Sequence, residues 1–331
     1  GYIGSHAVLA LLEAEYDVIC IDNLSNSSIN VIERIVKICG RRPNFVLGDI
    51  RDESLLNSIF ESENIDAVMH FAGLKAVGES VTEPLRYYDN NVSGSLSLIK
   101  VMDKFDIHKL IYSSSATVYG DNISVPLSEE SDLGALANPY GNTKLIVENI
   151  LRDHCRANPK WRIGILRYFN PVGAHQSGLI GENPKGMPNN LMPIIMRVAM
   201  GLKSEMSVFG DDYDTPDGTA IRDYIHVTDL VNGHVKALNV LSDATGAKVW
   251  NLGSGVGWSV LQMIKATEKV IGKSLKYNMS ARRSGDVAEC WADIAKAQRE
   301  LNWVPSLDID RMISDAWRWQ LKNPNGYGEE L

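Results

Sequence analysis

Tyr140 and Lys144 are the residues of this chain best suited to acid–base chemistry, and they lie in the run Asn-Pro-Tyr-Gly-Asn-Thr-Lys at 138–144. At a spacing of four they share one face of a helix. A phenol with a pKa near 10 is a poor base at neutral pH. An ammonium about 4 Å away, at an effective dielectric of about 20, favours the phenolate by roughly 4 kcal/mol, enough for general-base catalysis. Two residues on an exposed helix face can have the same spacing without any catalytic role. The neighbouring segments decide whether this pair is catalytic.

The segments that must position this pair alternate between apolar strands and helices. We predict strands at 17–22, 45–50, 67–73, 109–115 and 163–168, and helices such as 91–105 and 140–156. This alternation predicts an α/β fold with a Rossmann-type doubly wound parallel sheet. Ligands bind such sheets beyond the carboxyl ends of the strands. The hydroxyl run Ser-Ser-Ser-Ala-Thr at 113–117 lies at one of these ends.

The pattern changes after Pro171, where loops rich in Gly, Pro and Asn extend over 173–190. Two further strands, near 222–227 and 249–253, are expected to return to the main sheet. The predicted domain bounds are 1–170 for the first domain, with returning segments near 222–230 and 248–254, and 171–331 for a smaller, discontinuous α/β domain.

The composition excludes several classes of function. The chain has 331 residues and a net charge of −8, which argues against nucleic acid or an anionic membrane surface as a partner. No apolar run reaches about 18 residues and no leader is visible, so we expect a soluble, cytoplasmic protein. Four scattered cysteines fit free thiols in a reducing cytosol, and the seven histidines form no ligand-spaced cluster, so we expect no metal.

Residues 1–6, Gly-Tyr-Ile-Gly-Ser-His, look like the second half of a glycine-rich dinucleotide loop that opens a helix. Such glycines let the backbone approach a pyrophosphate at the helix N-terminus. The first glycine of the loop and the central strand before it are missing, and we assign the function to the complete parent protein. Asp22 closes the next strand about 20 residues later, where a carboxylate binds the adenosine ribose. No Arg or Lys follows at 23–26 to accept a 2′-phosphate, which favours NAD over NADP.

Two further strand ends fit the same cofactor. Asp49 and Ile50 end a strand where the adenine would lie, and the run Phe-Ala-Gly-Leu-Lys at 71–75 fits beside the phosphates and ribose. Each segment alone is compatible with an ordinary loop. Together, at successive strand ends, they predict a dinucleotide site.

Three segments resemble the extended short-chain dehydrogenase/reductase superfamily: 1–6, 71–80 and 113–120. The runs Tyr-Phe-Asn-Pro-Val-Gly-Ala at 168–174 and Gly-Met-Pro-Asn-Asn-Leu-Met-Pro at 186–193 narrow the resemblance to the UDP-glucose 4-epimerase family. The resemblance runs from residue 1 to the C-terminal region. It implies NAD-dependent interconversion of UDP-galactose and UDP-glucose through a transient 4-keto sugar, in galactose metabolism, with NAD retained between turnovers.

The resemblance also implies the roles of the catalytic residues. Tyr140 takes the proton from the sugar 4-hydroxyl while the nicotinamide takes hydride from C4. The keto sugar then rotates in the pocket, so that the hydride returns to the opposite face of the sugar. Lys144 holds the cofactor ribose and lowers the pKa of Tyr140, and Ser115 hydrogen-bonds the 4-oxygen.

The sugar must rotate freely in this scheme, so affinity must come from the nucleotide diphosphate. Arg222 and Arg283 are suited to pair with its phosphates, although either could instead be a solvated surface charge. The cofactor contacts that the resemblance implies are Gly1, Tyr2, Ile3, Gly4, Asp22, Asn23, Asp49, Ile50, Phe71, Ala72, Gly73, Lys75, Asn90, Ser115, Tyr140, Lys144 and Phe169. The substrate contacts that it implies are Ser115, Tyr140, Asn170, Asn190, Leu191, Arg222, Arg283, Asp286 and Cys290.

Two alternative functions remain on the same fold. Nucleotide-sugar 4,6-dehydratases of this superfamily also oxidise C4 but then eliminate water, and they carry an Asp-Glu pair where this chain has Ala116 and Thr117. Neither residue can act as a carboxylic acid, which argues against dehydration. A non-catalytic NAD-sensing or scaffold protein would be expected to lose Tyr140 or Lys144, and this chain keeps both.

Cys290 is the one informative departure from the family pattern. The corresponding residue in some family members is a large aromatic that walls the sugar 2-substituent. A cysteine is much smaller, so we hypothesise activity on UDP-GlcNAc and UDP-GalNAc as well.

The apolar helical faces at 92–101 and 145–151 are expected to lie in the core. The superfamily commonly pairs such helices across a two-fold axis into a four-helix bundle. We therefore expect a homodimer.

Overall fold

The computed structural model describes residues 1–121, 124–186, 188–242, 245–283 and 285–328; Met187 of the 186–193 motif lies outside them. The strands are β1 (Ile19–Asp22), β2 (Asn44–Leu47), β3 (Val68–His70), β4 (Lys109–Ser115), β5 (Arg162–Tyr168), β6 (Asn170–Val172), β7 (Met206–Phe209), β8 (Ile221–His226), β9 (Gly246–Leu252), β10 (Gly257–Ser259), β11 (Tyr277–Ser280) and β12 (Glu289–Cys290). The helices are α1 (Tyr2–Glu13), α2 (Asn30–Cys39), α3 (Glu53–Ser62), α4 (Val77–Thr82), α5 (Pro84–Tyr88), α6 (Gly94–Lys104), α7 (Pro139–Ala157), α8 (Leu191–Ala199), α9 (Val227–Val240), α10 (Val260–Ile271), α11 (Ala295–Leu301) and α12 (Ile309–Lys322). A π-helical turn at Asp89–Ser93 leads into α6, and a 3₁₀ turn at Ala116–Tyr119 follows β4.

The main sheet consists of parallel strands in the order β3-β4-β5-β9. The register places Ser115 of β4 opposite Tyr168 of β5, and Tyr168 opposite Leu252 of β9, so the carboxyl ends of these strands form one edge. Strand β9 confirms the predicted return of the segment near 249–253. Strands β1 and β2 pair in parallel as a separate sheet. Parallel strands joined through helices confirm the predicted α/β fold.

The segment near 222–227 does not return to the main sheet, so that prediction is wrong. It forms β8, which pairs with β6, β10 and β12 in a second sheet. The physical reason is that the partners of β8 lie outside the main sheet. The chain leaves β5 at Phe169 and continues into β6, and β8 pairs with β6, placing Tyr224 opposite Asn170.

Helices cover both faces of the main sheet. On one face, α3, α6 and α7 pack through a core that includes Leu56 and Leu151. On the other face, α9 and α11 pack through Leu230 and Ala297. This cover on two sides is what a parallel sheet requires, and it confirms the doubly wound arrangement. Helices α8, α10 and α12 share a separate core beside the second sheet; the residue bounds of the two domains stay a prediction.

The sequence at the start of α7 fixes where this helix begins. Pro139 occupies its first turn, and the Asn138 side chain accepts a hydrogen bond from the Gly141 backbone N–H (2.9 Å). The buried residues of α7 recur at helical spacing and are Gly141, Thr143, Lys144, Val147, Glu148, Leu151 and Cys155. Two ionisable side chains therefore lie on the face that packs against the sheet.

The described ranges lack two features that mark other classes of protein. No helix there is both long and apolar enough to cross a bilayer. No three His, Cys, Asp or Glu side chains in those ranges are grouped so that they could hold a metal ion. The four cysteines are all free thiols.

Candidate active site

Helix α7 and the carboxyl end of β4 bring the three predicted catalytic residues together. Ser115 is the last residue of β4, and its Oγ accepts a hydrogen bond from the Thr117 backbone N–H (3.2 Å). Lys144 Nζ donates to the Ser113 carbonyl (2.6 Å) and lies 5.9 Å from the centre of the Tyr140 ring. A phenol, an ammonium and a hydroxyl therefore share one small region of the molecule.

Burial dominates the acid–base properties of this pair. It raises the pKa of Tyr140 above its ordinary value of 10.0, although hydrogen bonding with Ser115 lowers it in part. The pKa of Tyr140 is therefore raised overall rather than lowered, because burial disfavours the phenolate and the ammonium of Lys144 is directed at the Ser113 carbonyl. Burial also lowers the pKa of Lys144 to about 8, while the charge of Glu148 raises it. The lysine is therefore mostly charged at neutral pH.

The start of α1 has the form of an anion-binding helix end. The helix begins at Tyr2, with no side-chain cap from Gly1 and no acidic residue in its first turn. Gly4 lies against the residue that follows β3, since a Cβ at Gly4 would be 4.0 Å from the Phe71 Cβ. Ile3 packs against the core of the main sheet. These residues fit the pyrophosphate of a dinucleotide.

The loop after β3 contacts the predicted catalytic lysine. A Cβ at Gly73 would lie 3.6 Å from Lys144 Nζ and 3.4 Å from Asn91 Oδ1. Asn91 is buried; its Oδ1 accepts from the Leu74 N–H (2.8 Å), and its Nδ2 donates to the Leu74 carbonyl (3.0 Å). The same Nδ2 donates to Thr143 Oγ1 on α7 (3.0 Å). Asn91 therefore fixes this loop against α7.

The ends of β1 and β2 are joined through predicted cofactor residues. Asp22 ends β1 and accepts a hydrogen bond from Ser27 Oγ (2.8 Å). Asn23 Nδ2 donates to Asp49 Oδ2 just after β2 (2.9 Å). Arg51 donates to Asp49 from its backbone N–H and Nε (both 2.9 Å) and from Nη2 (2.8 Å). These bonds hold the pKa of Asp49 well below its ordinary range, so the carboxylate is ionised at neutral pH.

The remaining predicted cofactor residues lie near the strand ends described above. Ile50 packs against Gly94 of α6, where a Cβ would come within 2.8 Å of Ile50 Cδ1. Asn90 Nδ2 donates to the side-chain oxygen of the next residue (2.9 Å). Ala72 is exposed in the loop after β3, whereas Phe169 is buried between β5 and β6. The structure thus gives Ile50 and Phe169 packing roles in addition to the contacts predicted for them.

Glu182 joins the predicted cofactor side of the site to the predicted substrate side. Its Oε1 accepts from Lys75 Nζ (3.1 Å) and from Asn190 Nδ2 (3.2 Å), and its side chain is largely buried. Its backbone carbonyl accepts from Trp319 Nε1 (3.1 Å). Lys75 and Glu182 lie 107 residues apart in the chain, so this contact exists only in the folded protein.

Four of the predicted substrate residues lie in strands β8 and β12 of the second sheet or in the segment between β11 and β12. Cys290 of β12 lies opposite Arg222 of β8 in parallel register. Arg222 Nη2 lies 3.7 Å from Asp286 Oδ1. The Arg283 guanidinium stacks over the Phe209 ring at 3.9 Å. The two guanidinium groups are hydrogen-bond donors suited to the phosphates of a nucleotide diphosphate.

Three other predicted substrate residues lie at element starts. Asn170 begins β6 and is exposed, near Arg222 along the paired strand β8. Asn190 and Leu191 form the start of α8, which has no side-chain cap and no acidic residue in its first turn. No side chain caps the backbone N–H groups of Leu191 and Met192, which are donors of the kind that can bind an anion.

Three polar residues of the site are absent from the sequence prediction. Glu148 lies one turn beyond Lys144 on α7, and that spacing of four is a signal that sequence reasoning could use. Asn91 follows Asn90 at the start of a helical stretch, which is a weaker signal. Glu182 has none, because its partners lie far away in the chain.

Comparison with known proteins identifies the family to which this geometry belongs. A family model described as GDP-mannose 4,6 dehydratase matches residues 1–316. UDP-glucose 4-epimerase of Yersinia enterocolitica is 55% identical over 327 residues, which cover 99% of this chain and 97% of the relative. The chain belongs to the UDP-glucose 4-epimerase family.

Solved structures of this epimerase family are closely similar to the fold described above. UDP-glucose 4-epimerase from Bifidobacterium longum, in complex with NAD+ and UDP, has a TM-score of 0.96 and 53% identity over 98% of this chain and 97% of its own. The UDP-Glc/GlcNAc 4-epimerase from Campylobacter jejuni has a TM-score of 0.84 and 37% identity over 97% of both chains. The family indicated by the sequence segments is therefore confirmed.

Lys144 should make stability depend on pH in a defined direction. Its pKa is about 8 in the folded chain against an ordinary 10.5, so between these values the unfolded chain binds more protons at this side chain. As the pH rises through that window, the wild type should gain stability relative to Lys144→Met, by up to about 1.4 kcal/mol per pH unit. Urea unfolding of both proteins, at unit steps from about pH 7 to about pH 10, measures the difference. A difference that stays constant would contradict the burial of a charged ammonium.

Proposed function

We propose that this chain is an NAD-dependent UDP-glucose 4-epimerase, an isomerase that interconverts UDP-galactose and UDP-glucose in galactose metabolism. The observation that carries the proposal is the convergence of Tyr140, Lys144 and Ser115 at the carboxyl end of β4. That edge is where a doubly wound sheet binds its ligands. The Bifidobacterium longum relative is crystallised with NAD+ and UDP, which supports the same pair of ligands here.

The residues at the strand ends would hold NAD. The start of α1 would bind the pyrophosphate, Asp22 the adenosine ribose, and Lys144 the nicotinamide ribose. When bound, NAD would supply an acceptor for the hydride of the sugar C4 and a donor that returns it. The absence of Arg and Lys at 23–26 supports NAD rather than NADP.

The three catalytic residues divide the proton chemistry between them. Tyr140 removes the proton of the sugar 4-hydroxyl and gives it back after the keto sugar has turned over. Burial raises the pKa of this phenol. We propose that the ammonium of Lys144, 5.9 Å from the centre of the ring, offsets part of that cost when the phenolate forms in the reaction. Ser115 binds the 4-oxygen and hydrogen-bonds to Tyr140, which provides a short path for the proton.

The nucleotide diphosphate supplies the affinity, so the sugar is free to rotate. Arg222 and Arg283 would pair with its phosphates, and Asp286 orients the first of them. The backbone donors at the start of α8, which no side chain caps, would add to this anion site. Asn170 lies at the exposed start of β6, where its amide would reach the same ligand.

A 4,6-dehydratase is the second candidate function, because the matching family model carries that description. Elimination of water needs a further acid/base pair beside the oxidised sugar. Ala116 and Thr117 follow Ser115 in this chain, and neither has a carboxyl group. Thr117 Oγ1 is buried without a hydrogen-bond partner. These residues favour epimerisation over dehydration.

We further propose that the pocket accepts UDP-GlcNAc and UDP-GalNAc. Cys290 lies opposite Arg222, within the group of predicted substrate residues. Its small side chain leaves room for an N-acetyl group where a large aromatic would stand. The Campylobacter jejuni relative is named a UDP-Glc/GlcNAc 4-epimerase, which supports a dual substrate range within the family.

A homodimer in the cytoplasm is the assembly and location that we propose. Helices α4 and α5 pack beside α7 and expose apolar side chains, since Val81 is 60% and Leu85 is 83% exposed. Val77 and Ile146 extend this apolar surface, which marks a protein interface. The faces predicted at 92–101 and 145–151 lie largely in the core, as expected. Four free thiols are typical of a reducing compartment.

Replacing Tyr140 with Phe tests the epimerase proposal directly. The substitution removes the proton acceptor, so kcat for UDP-galactose to UDP-glucose should fall by roughly 10²–10⁴-fold, while the bound dinucleotide is retained. A coupled assay for UDP-glucose and an absorbance scan of the purified protein measure both quantities. Tyr16→Phe makes the same chemical change at an exposed tyrosine and should keep full activity. An undiminished rate in the Tyr140 variant would refute the proposal.

Replacing Cys290 with Tyr tests the substrate range. The bulky ring should lower kcat/KM for UDP-GlcNAc at least about tenfold and leave the rate with UDP-galactose nearly unchanged. Cys290→Ser conserves the size of the side chain and should keep both activities. Equal losses with both substrates would show that residue 290 does not select the 2-substituent.

Replacing Leu85 with Glu tests the dimer. A charge in the centre of an apolar interface should shift the protein to the mass of one chain, measured by light scattering after size exclusion. Leu202→Glu changes a leucine that is 51% exposed just after α8 and should leave the dimer intact. A wild-type protein that already elutes at the mass of one chain would contradict the proposal.

A further inference from the structure

Glu148 forms a buried ion cluster directly behind the catalytic lysine. It lies four residues beyond Lys144 on α7 and is fully buried. Its Oε1 accepts from Ser114 Oγ (2.6 Å) and from Arg167 Nε (3.0 Å). Its Oε2 accepts from Arg167 Nη2 (2.8 Å) and from Arg152 Nη2 (2.7 Å). Every oxygen of this carboxylate is therefore bonded on two sides.

The bonds of Glu148 keep it ionised although it is buried. Burial raises the pKa of a carboxyl group, but the bonds and charge of Arg167, the Ser114 hydroxyl and the charge of Arg152 together lower the pKa of Glu148. A fully desolvated carboxylate persists only when it is paired and hydrogen-bonded in this way. The carboxylate of Glu148 thus places a fixed negative charge one helical turn from the ammonium of Lys144.

The other titratable groups that face Lys144 are neutral at physiological pH. Tyr112 of β4 lies 5.0 Å from Nζ, and burial raises its pKa well above the ordinary value. Burial, with the charge of Lys144, lowers the pKa of His70 on β3 to about 3. Tyr140 on α7 is the phenol that the reaction uses. Among these neighbours, Glu148 is the carboxylate that favours the charged lysine.

Glu148 and Lys144 also hold adjacent residues of one strand. Lys144 binds the carbonyl of Ser113, and Glu148 binds the hydroxyl of Ser114. Ser115 is the next residue of β4 and the catalytic hydroxyl. Arg167 of β5 lies opposite Ser114 in the parallel register, so the ion pair ties α7 to both strands.

We propose that Glu148 is a positioning residue that keeps Lys144 protonated and locks α7 onto β4, so that Tyr140 faces Ser115. The inference rests on the proposed epimerase function, because the charge of Lys144 matters through Tyr140. It assigns a role in the reaction to a side chain that contacts none of the reacting atoms.

A pair of substitutions with opposite expected signs tests the proposal. Glu148→Gln removes the negative charge and keeps the size of the side chain, so Lys144 should lose its proton at lower pH. The alkaline limb of the kcat profile should then move down by roughly one pH unit. Arg152→Gln removes a cation from the exposed side of the cluster and should move the same limb up by roughly half a unit. Arg156→Gln, at an arginine paired with Asp153 on the surface, should leave the profile unchanged.

A direct titration of Lys144 separates this inference from the epimerase proposal. Protein labelled with ¹³C at lysine Cε, with the Lys144 signal assigned by its loss in Lys144→Met, reports the protonation of the ammonium without any turnover. Downward and upward shifts of the titration in the two variants support the proposal, even in a protein that proves not to epimerise. A Glu148→Gln protein that loses thermal stability but keeps both the titration and the pH profile would show a merely structural role. Where that variant does not fold, Arg152→Gln decides, and an unshifted titration there overturns the proposal.

Discussion

The hydrogen bond from the Lys144 ammonium to the Ser113 carbonyl is the interaction on which the rest of the site depends. It is 2.6 Å long and buried, and it ties the first turns of α7 to the carboxyl end of β4. Tyr140 lies one turn before Lys144, and Ser115 lies two residues after Ser113. This contact between α7 and β4 therefore places the phenol of Tyr140 near the hydroxyl of Ser115. Asn91 holds the loop after β3 against the same helix.

The burial of charged groups between α7 and β4 lowers the stability of the folded chain but serves the proposed reaction. An ammonium in surroundings of low dielectric is costly even when it is hydrogen-bonded, and the pKa of Lys144 is lowered as a result. The carboxylate of Glu148 is paired with Arg167 and Arg152, so it stays ionised one helical turn from Lys144. In the proposed reaction, the positive charge of Lys144 would stabilise negative charge that develops on the phenol oxygen during proton transfer. A stability cost at the site of reaction is common in enzymes.

The proposed cofactor site and the proposed substrate site are connected by contacts between distant parts of the chain. Strand β8 leaves the main sheet and builds a second one, which brings Arg222 and Cys290 side by side. Glu182 then links Lys75, on the loop after β3, to Asn190 at the start of α8. The proposed cofactor and substrate sites therefore share one carboxylate.

The sequence by itself determined the features that depend on local geometry. Helical periodicity places Tyr140 and Lys144 on one face of α7. The alternation of apolar strands with helices specifies a doubly wound α/β fold. Tertiary structure decided what depends on partners distant in the chain. Strand β8 joined the second sheet because it pairs with β6, β10 and β12, which lie outside the main sheet. The pKa of Tyr140 rose because packing buries the phenol, and Glu182 met Lys75 across 107 residues. Burial and edge pairing are properties of the whole assembled chain, and no local pattern of residues encodes them.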